Sequence, residues 1–164
     1  MKLLRRTIRM LILENSFKDN PNYLMIDALK NESSFRLISS GMGMFPRGTD
    51  AIFEWAADKD CPYEIKLIGL YKDVIFIDSL EAAHENTDIY IDVCEGKGHA
   101  SALLFELMSY ADDFNVQLGL EASAFNQTDD DRRPDTAALT AWYKRLGFED
   151  SPQGNGMLVY NFRS

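Results

Sequence analysis

Residues 89–104 read Ile-Tyr-Ile-Asp-Val-Cys-Glu-Gly-Lys-Gly-His-Ala-Ser-Ala-Leu-Leu, and no other segment constrains the architecture as tightly. The β-forming run Asp88 to Val93 predicts a strand. It enters a loop with small residues at Gly96, Gly98 and Ala100, after which Leu103, Leu104, Leu107, Met108, Ala111 and Phe114 recur with helical period. A strand-glycine-helix junction leaves backbone N–H groups pointing outward at the positive end of a helix dipole, a receptor for phosphate oxygens. The same glycines also serve as plain tight-turn residues. The spacing lacks the Gly-Lys-Ser/Thr ending of a nucleotide-triphosphate loop, and no third glycine completes a dinucleotide fingerprint.

Size and charge narrow the classes of function. A chain of 164 residues, 46% of them hydrophobic, fits one domain spanning 1–164. A net charge of −9 with pI near 4.7 argues against general nucleic-acid binding, which needs a basic surface. It leaves a basic protein, an amine or a nucleic-acid-binding enzyme as possible partners. The basic start, with Lys2, Arg5, Arg6 and Arg9, precedes an apolar run too short for a signal core, so residues 3–13 are expected to form a strand. No stretch approaches the roughly twenty apolar residues of a membrane span. The expectation is a soluble, cytoplasmic protein with no membrane partner. Cys61 and Cys94 match neither a metal spacing nor a disulfide framework and read as free thiols.

Elsewhere the local signals vary in strength. Asn20 to Leu29 reads as a short helix behind Pro21, and Thr49 or Asp50 is placed to cap a helix running to about Ala57. Gly41 to Pro46 is a Met-containing apolar loop, suited either to a substrate lid or to filling the core. Tyr63 to Leu70 and Val74 to Leu80 predict two antiparallel strands joined at Lys72-Asp73. Val116, Leu118 and Leu120 alternate with polar or small residues, predicting a strand parallel to 88–93 across a crossover. Asn126 to Pro134 reads as a polar insertion. Asp135 is placed to cap a helix with the stripe Leu139, Trp142, Tyr143 and Leu146, ended by Gly147. A closing strand is expected over Met157 to Phe162.

The order strand, two helices, three strands, helix, strand, helix, strand resembles that of the GCN5-related N-acetyltransferase (GNAT) superfamily. Glu95-Gly96-Lys97-Gly98-His99-Ala100 is similar to the family's Arg/Gln-x-x-Gly-x-Gly/Ala loop, and Ala141 to Phe148 to its Leu-Tyr-Glu-Lys-Leu-Gly-Phe signature. Leu120-Glu121-Ala122-Ser123 followed by Asn126 resembles the segment between them. Glu95 departs from the usual Arg or Gln and sets a negative charge beside the proposed pyrophosphate, which Lys97 partly offsets. The resemblance implies an α/β (α+β) fold: a mixed, mainly antiparallel central sheet with helices on both faces, strands 88–93 and 117–121 parallel and splayed.

The resemblance also implies an activity, N-acetyl transfer from acetyl-coenzyme A (acetyl-CoA) as co-substrate to a primary amine by direct attack. Ile91, Val93, Glu95, Gly96, Lys97, Gly98, His99, Ala100, Ser101 and Asn126 are the implied coenzyme-binding residues. Tyr143 is the implied proton donor to the leaving sulfur; on spacing alone it is a core aromatic of the helix stripe. Asp92 is the catalytic carboxylate chosen, with Glu81 and Glu121 as the other candidate bases. Cys94 near a helix start could act as a nucleophile, but no His-Asp partner set accompanies it. No metal is expected, a homodimer is possible, and the acceptor amine is open. The competing reading is a non-catalytic GNAT-fold binding protein whose acidic surface engages a basic macromolecule.

Overall fold

The computed structural model describes residues 19–40, 50–56, 60–71, 73–82, 94, 96–123 and 134–163. Within them the order is α1 (Pro21–Lys30), β1 (Phe35–Ser40), β2 (Asp50–Trp55), β3 (Tyr63–Tyr71), β4 (Val74–Ala82), α2 (His99–Phe114), β5 (Gln117–Glu121), α3 (Thr136–Leu146), β6 (Glu149–Asp150) and β7 (Met157–Tyr160). The strands form one seven-stranded sheet in the order β1-β2-β3-β4-β5-β7-β6. Every neighbouring pair is antiparallel except β4 and β5. This is a mixed, mainly antiparallel α+β architecture, compatible with a GNAT-like fold.

Local chemistry explains the helix ends. Asn20 Oδ1 accepts from the N–H groups of Asn22 and Tyr23 ahead of α1, and Pro21 sits in the first turn, where its missing N–H costs nothing. Asp135 Oδ1 accepts from Ala138 N at 2.7 Å to start α3. Gly147, at φ +114°, stops that helix as Phe148 N donates to the Tyr143 carbonyl. Asn115 (φ 54°) ends α2, and Gln117 N then donates to Asp73 O at 2.7 Å, which starts β5 beside β4.

The core lies on one face of the sheet. Phe53, Ile65, Leu67, Ile75, Ile77, Leu118, Leu120, Leu158 and Tyr160 follow one another across the strands in register, as period-two alternation requires. Met25, Ile26 and Leu29 of α1 and Leu103, Leu104, Leu107, Met108 and Ala111 of α2 join this cluster, and Leu139, Trp142, Tyr143 and Leu146 of α3 pack against it. The helices expected on both faces are thus, among the described residues, three helices whose apolar stripes feed one cluster. Asn22 Nδ2 ties α1 to the sheet by donating to Val74 O at 2.9 Å. Glu106 ties α2 to it, accepting from the buried Trp55 Nε1 at 2.7 Å and from Ser34 Oγ.

Three expectations change. Residues 50–55 are a strand, not a capped helix: Ala51, Phe53 and Trp55 are buried while Ile52 and Glu54 are half-buried, so period two prevails over the capping signal of Asp50. The parallel partner of 117–121 is β4, not 88–93. Val74 to Ile77 pair with Gln117 to Leu120 on one edge of β5 and Leu118 to Glu121 pair with β7 on the other, so both edges are taken. Cys61 and Cys94 are not free thiols but form a disulfide, Cα to Cα 5.6 Å. Tyr63 pairs with Ala82, so Cys61 lies beside the C-terminal end of β4, where the chain returns at Cys94. The expected strands 3–13 and 88–93, the 41–46 loop and most of the 126–134 insertion lie outside the described residues.

Candidate functional site

The site is assembled where β4 outlasts β5. Pairing between them ends at Ile77–Leu120, whereas β4 continues to Ala82, still paired with β3 down to Tyr63. From Asp78 to Ala82 one edge of β4 has no strand partner among the described residues. The region outside the carboxyl ends of parallel strands is where open α/β sheets accept ligands.

The glycine turn is fixed at that same end. Cys94, two residues before Gly96, is bonded to Cys61, two residues before β3 starts opposite the last residue of β4. Helix α2 then runs back over the sheet and delivers the chain to the start of β5. Gly96 and Gly98 both have positive φ, 74° and 77°, and a Cβ built on either meets nothing within 4 Å. They are required for backbone conformation, and the space around them is open.

Of the three helices described, α1 and α3 have side-chain N-caps, while α2 starts at Gly98 with no side-chain cap. Its first hydrogen bond is Ala102 N to Gly98 O at 2.9 Å, so the N–H groups of His99, Ala100 and Ser101 have no intrahelical acceptor. No acidic residue occupies its first turn. His99 Nε2 is buried with no hydrogen-bond partner among the described residues. An uncapped helix start, an open glycine turn and an orphaned imidazole nitrogen together form a polar receptor at the end of β4.

Gly96, Lys97 and Gly98 are exposed, and His99, Ala100 and Ser101 are half-buried, all contiguous in this receptor. Tyr143 is half-buried on α3, its ring 4.7 Å from that of Trp142 and 5.7 Å from that of Phe148. Burial raises its pKa above the ordinary 10.0, and its hydroxyl has no hydrogen-bond partner among the described residues. Ile91, Asp92, Val93, Glu95 and Asn126 lie outside the described residues. Glu81 lies on β4 beyond its last pair with β5, exposed, and Glu121 ends β5, exposed.

One feature escapes a linear reading. Arg36 pairs with Glu54, Glu54 with Glu64 and Glu64 with Glu81 in register across β1 to β4, so three carboxylates stand side by side on the face opposite the core. Arg36 bonds Glu54 at 2.8 Å. Lys66 bonds Asp78 at 2.6 Å on the same face. Like charges directly opposite disfavour pairing, so the sheet carries this row at some cost. These residues are scattered over 46 positions (36 to 81), and no sequence spacing signals their alignment.

The seven-stranded sheet, with one parallel pair joined through the crossover helix α2, is an α+β architecture compatible with a GNAT-like fold. No family model and no curated protein match the chain. Among solved structures it is similar to the crystal structure of the anti-CRISPR protein AcrVA5, 17% identical over 62% of this chain and 90% of that one, with a TM-score of 0.41. A likeness that distant carries no argument about activity.

Proposed function

We propose that this protein is an acyl-CoA-dependent N-acetyltransferase acting on a cationic amine. The observation that carries the reading is the uncapped start of α2 behind Gly96 and Gly98, held at the end of β4 beyond its last pair with β5. Acetyl-CoA fits that place: its pyrophosphate would be held by the free N–H groups of His99, Ala100 and Ser101 with Lys97 alongside, and the exposed β4 edge would accept the amide-bearing arm. The co-substrate supplies an activated thioester carbonyl. The remaining work belongs to the chain.

Tyr143 is half-buried and its pKa is raised by burial, so it holds its proton at the hydroxyl oxygen throughout the physiological range, the state required of a general acid. Asp92 remains the proposed base, with Ile91, Val93, Glu95 and Asn126 as further coenzyme contacts. The Glu54-Glu64-Glu81 row runs across the sheet to the end of β4 beyond its last pair with β5 and draws positive charge there. That supports a lysine side chain, a polyamine or a basic peptide terminus as acceptor over a neutral amine.

The test is release of free thiol from acetyl-CoA in the presence of a panel of cationic and neutral amines, read by a thiol reagent after quenching. The expected result is turnover with cationic acceptors that falls at least about a hundredfold in Tyr143→Phe, the scale of a lost general acid. Turnover undiminished by that substitution would remove Tyr143 from the chemistry. No turnover with any amine, beside intact acetyl-CoA binding, would favour the binding-protein reading.

A further inference from the structure

We infer that the Cys61–Cys94 disulfide is a redox clasp on the glycine turn, holding it against the end of β4 when oxidised and releasing it when reduced. The regulatory meaning rests on the acetyl-CoA reading; the clasp itself does not. Both cysteines are buried outside the main core cluster and pack on Tyr63, which also touches that core from the start of β3. The core contacts of α2 begin at Leu103 and involve neither cysteine, so cutting the bridge removes none of them directly. Between those two anchorages the described residues of the turn itself are exposed. Gly96, Lys97 and Gly98 are exposed, and nothing stands within 4 Å of a Cβ built at either glycine. Two glycines at positive φ flanking one residue make a pivot once the upstream anchor is gone. The bridge joins residues 33 apart, and it ties the turn to the residues just ahead of β3.

The reductant is a dithiol. Its first thiolate attacks one cysteine sulfur, the Cys61–Cys94 bond breaks, and a mixed disulfide forms while the other cysteine leaves as thiolate and takes up a proton. The second thiol of the reductant, deprotonated, then displaces the bound cysteine, which is protonated in turn. The cysteine pair has gained two electrons and two protons, and the dithiol ends as its cyclic disulfide. Because the bridge is buried, attack requires the turn to open. A ligand seated on the turn therefore protects the bridge, and by linkage the reduced protein binds that ligand less tightly.

The experiment is hydrogen-deuterium exchange, followed by mass spectrometry, of the full chain in its oxidised form, after dithiothreitol, and as the Cys61→Ser/Cys94→Ser variant. The chain has only these two cysteines, so dithiothreitol has no other disulfide to act on within it. The expected result is exchange at least about tenfold faster over 94–102 in the reduced protein and in the variant, with 103–111 and 117–121 unchanged. Equal exchange in all three forms would overturn the clasp. So would a uniform rise across the chain, which marks a global staple, or failure of dithiothreitol to reduce the folded protein. Titration with acetyl-CoA separates the two readings. Weaker binding by the reduced form supports both, whereas a loosened turn with no binding by either form keeps the clasp and removes the coenzyme.

Discussion

Tyr143 and Tyr110 are both phenols whose pKa is raised in the folded chain, for different reasons. Burial alone raises Tyr143, whose hydroxyl has no partner among the described residues, so Tyr143→Phe should leave the melting temperature unchanged or slightly higher while removing activity. Thermal melts of the two forms at neutral pH check this. Tyr110 donates to Glu32, and that hydrogen bond, with burial and the nearby charges of Glu32, Glu106 and Asp113, pushes its pKa to about 12. The unfolded phenol loses its proton near the ordinary value of about 10. Above that pH the unfolded chain binds fewer protons than the folded one, so the contribution, full below about 10, is lost as pH rises toward about 12. Melts between pH 9 and 11 should therefore show a steeper alkaline decline in the wild type than in Tyr110→Phe. At the same scale, Gly98→Ala is strained by backbone alone, because φ is +77° and the space is open; a loss of about 1–2 kcal/mol in denaturant unfolding is expected.

The elements that could be read from sequence are those whose ends are fixed locally. Asp135 before α3 and Gly147 after it each act within a turn of their own helix and sit where the sequence set them, whereas Asn20, read as the first residue of its helix, is the cap of α1. Asp135→Ala should accordingly cost about 0.5–2 kcal/mol, visible in urea unfolding, because Ala138 N loses its acceptor. The β3-β4 hairpin was legible for the same reason, its two apolar runs being joined by a tight turn. Residues 50–55 were not, since Asp50 looks like a cap and only the burial of Ala51, Phe53 and Trp55 against distant helices shows the strand. The parallel pairing of β4 with β5, the disulfide and the carboxylate row are contacts between residues far apart in sequence, and local pattern holds no information on them. The glycine turn was visible as a motif, but its position became clear only through the bridge that anchors it.

Within a chain of net charge −9, Glu54, Glu64 and Glu81 align across β2 to β4 and end beyond the last β4–β5 pair. If that row guides a cationic acceptor, the KM for a lysine-containing peptide should rise with salt as exposed charges are screened beyond about 10 Å at ~0.1 M, while kcat holds. Glu64→Gln/Glu81→Gln should raise the same KM and flatten its salt dependence, as steady-state kinetics at several ionic strengths would show. Everything at this scale depends on a phosphorylated coenzyme being held at the start of α2. Calorimetric titration of the oxidised protein with acetyl-CoA, beside a Lys97→Glu variant altered only at an exposed turn residue, reads that directly. One saturable site in the wild type, weakened by about tenfold (~1.4 kcal/mol) in the variant, is the predicted result. No heat from either form, or equal affinity in both, would contradict it.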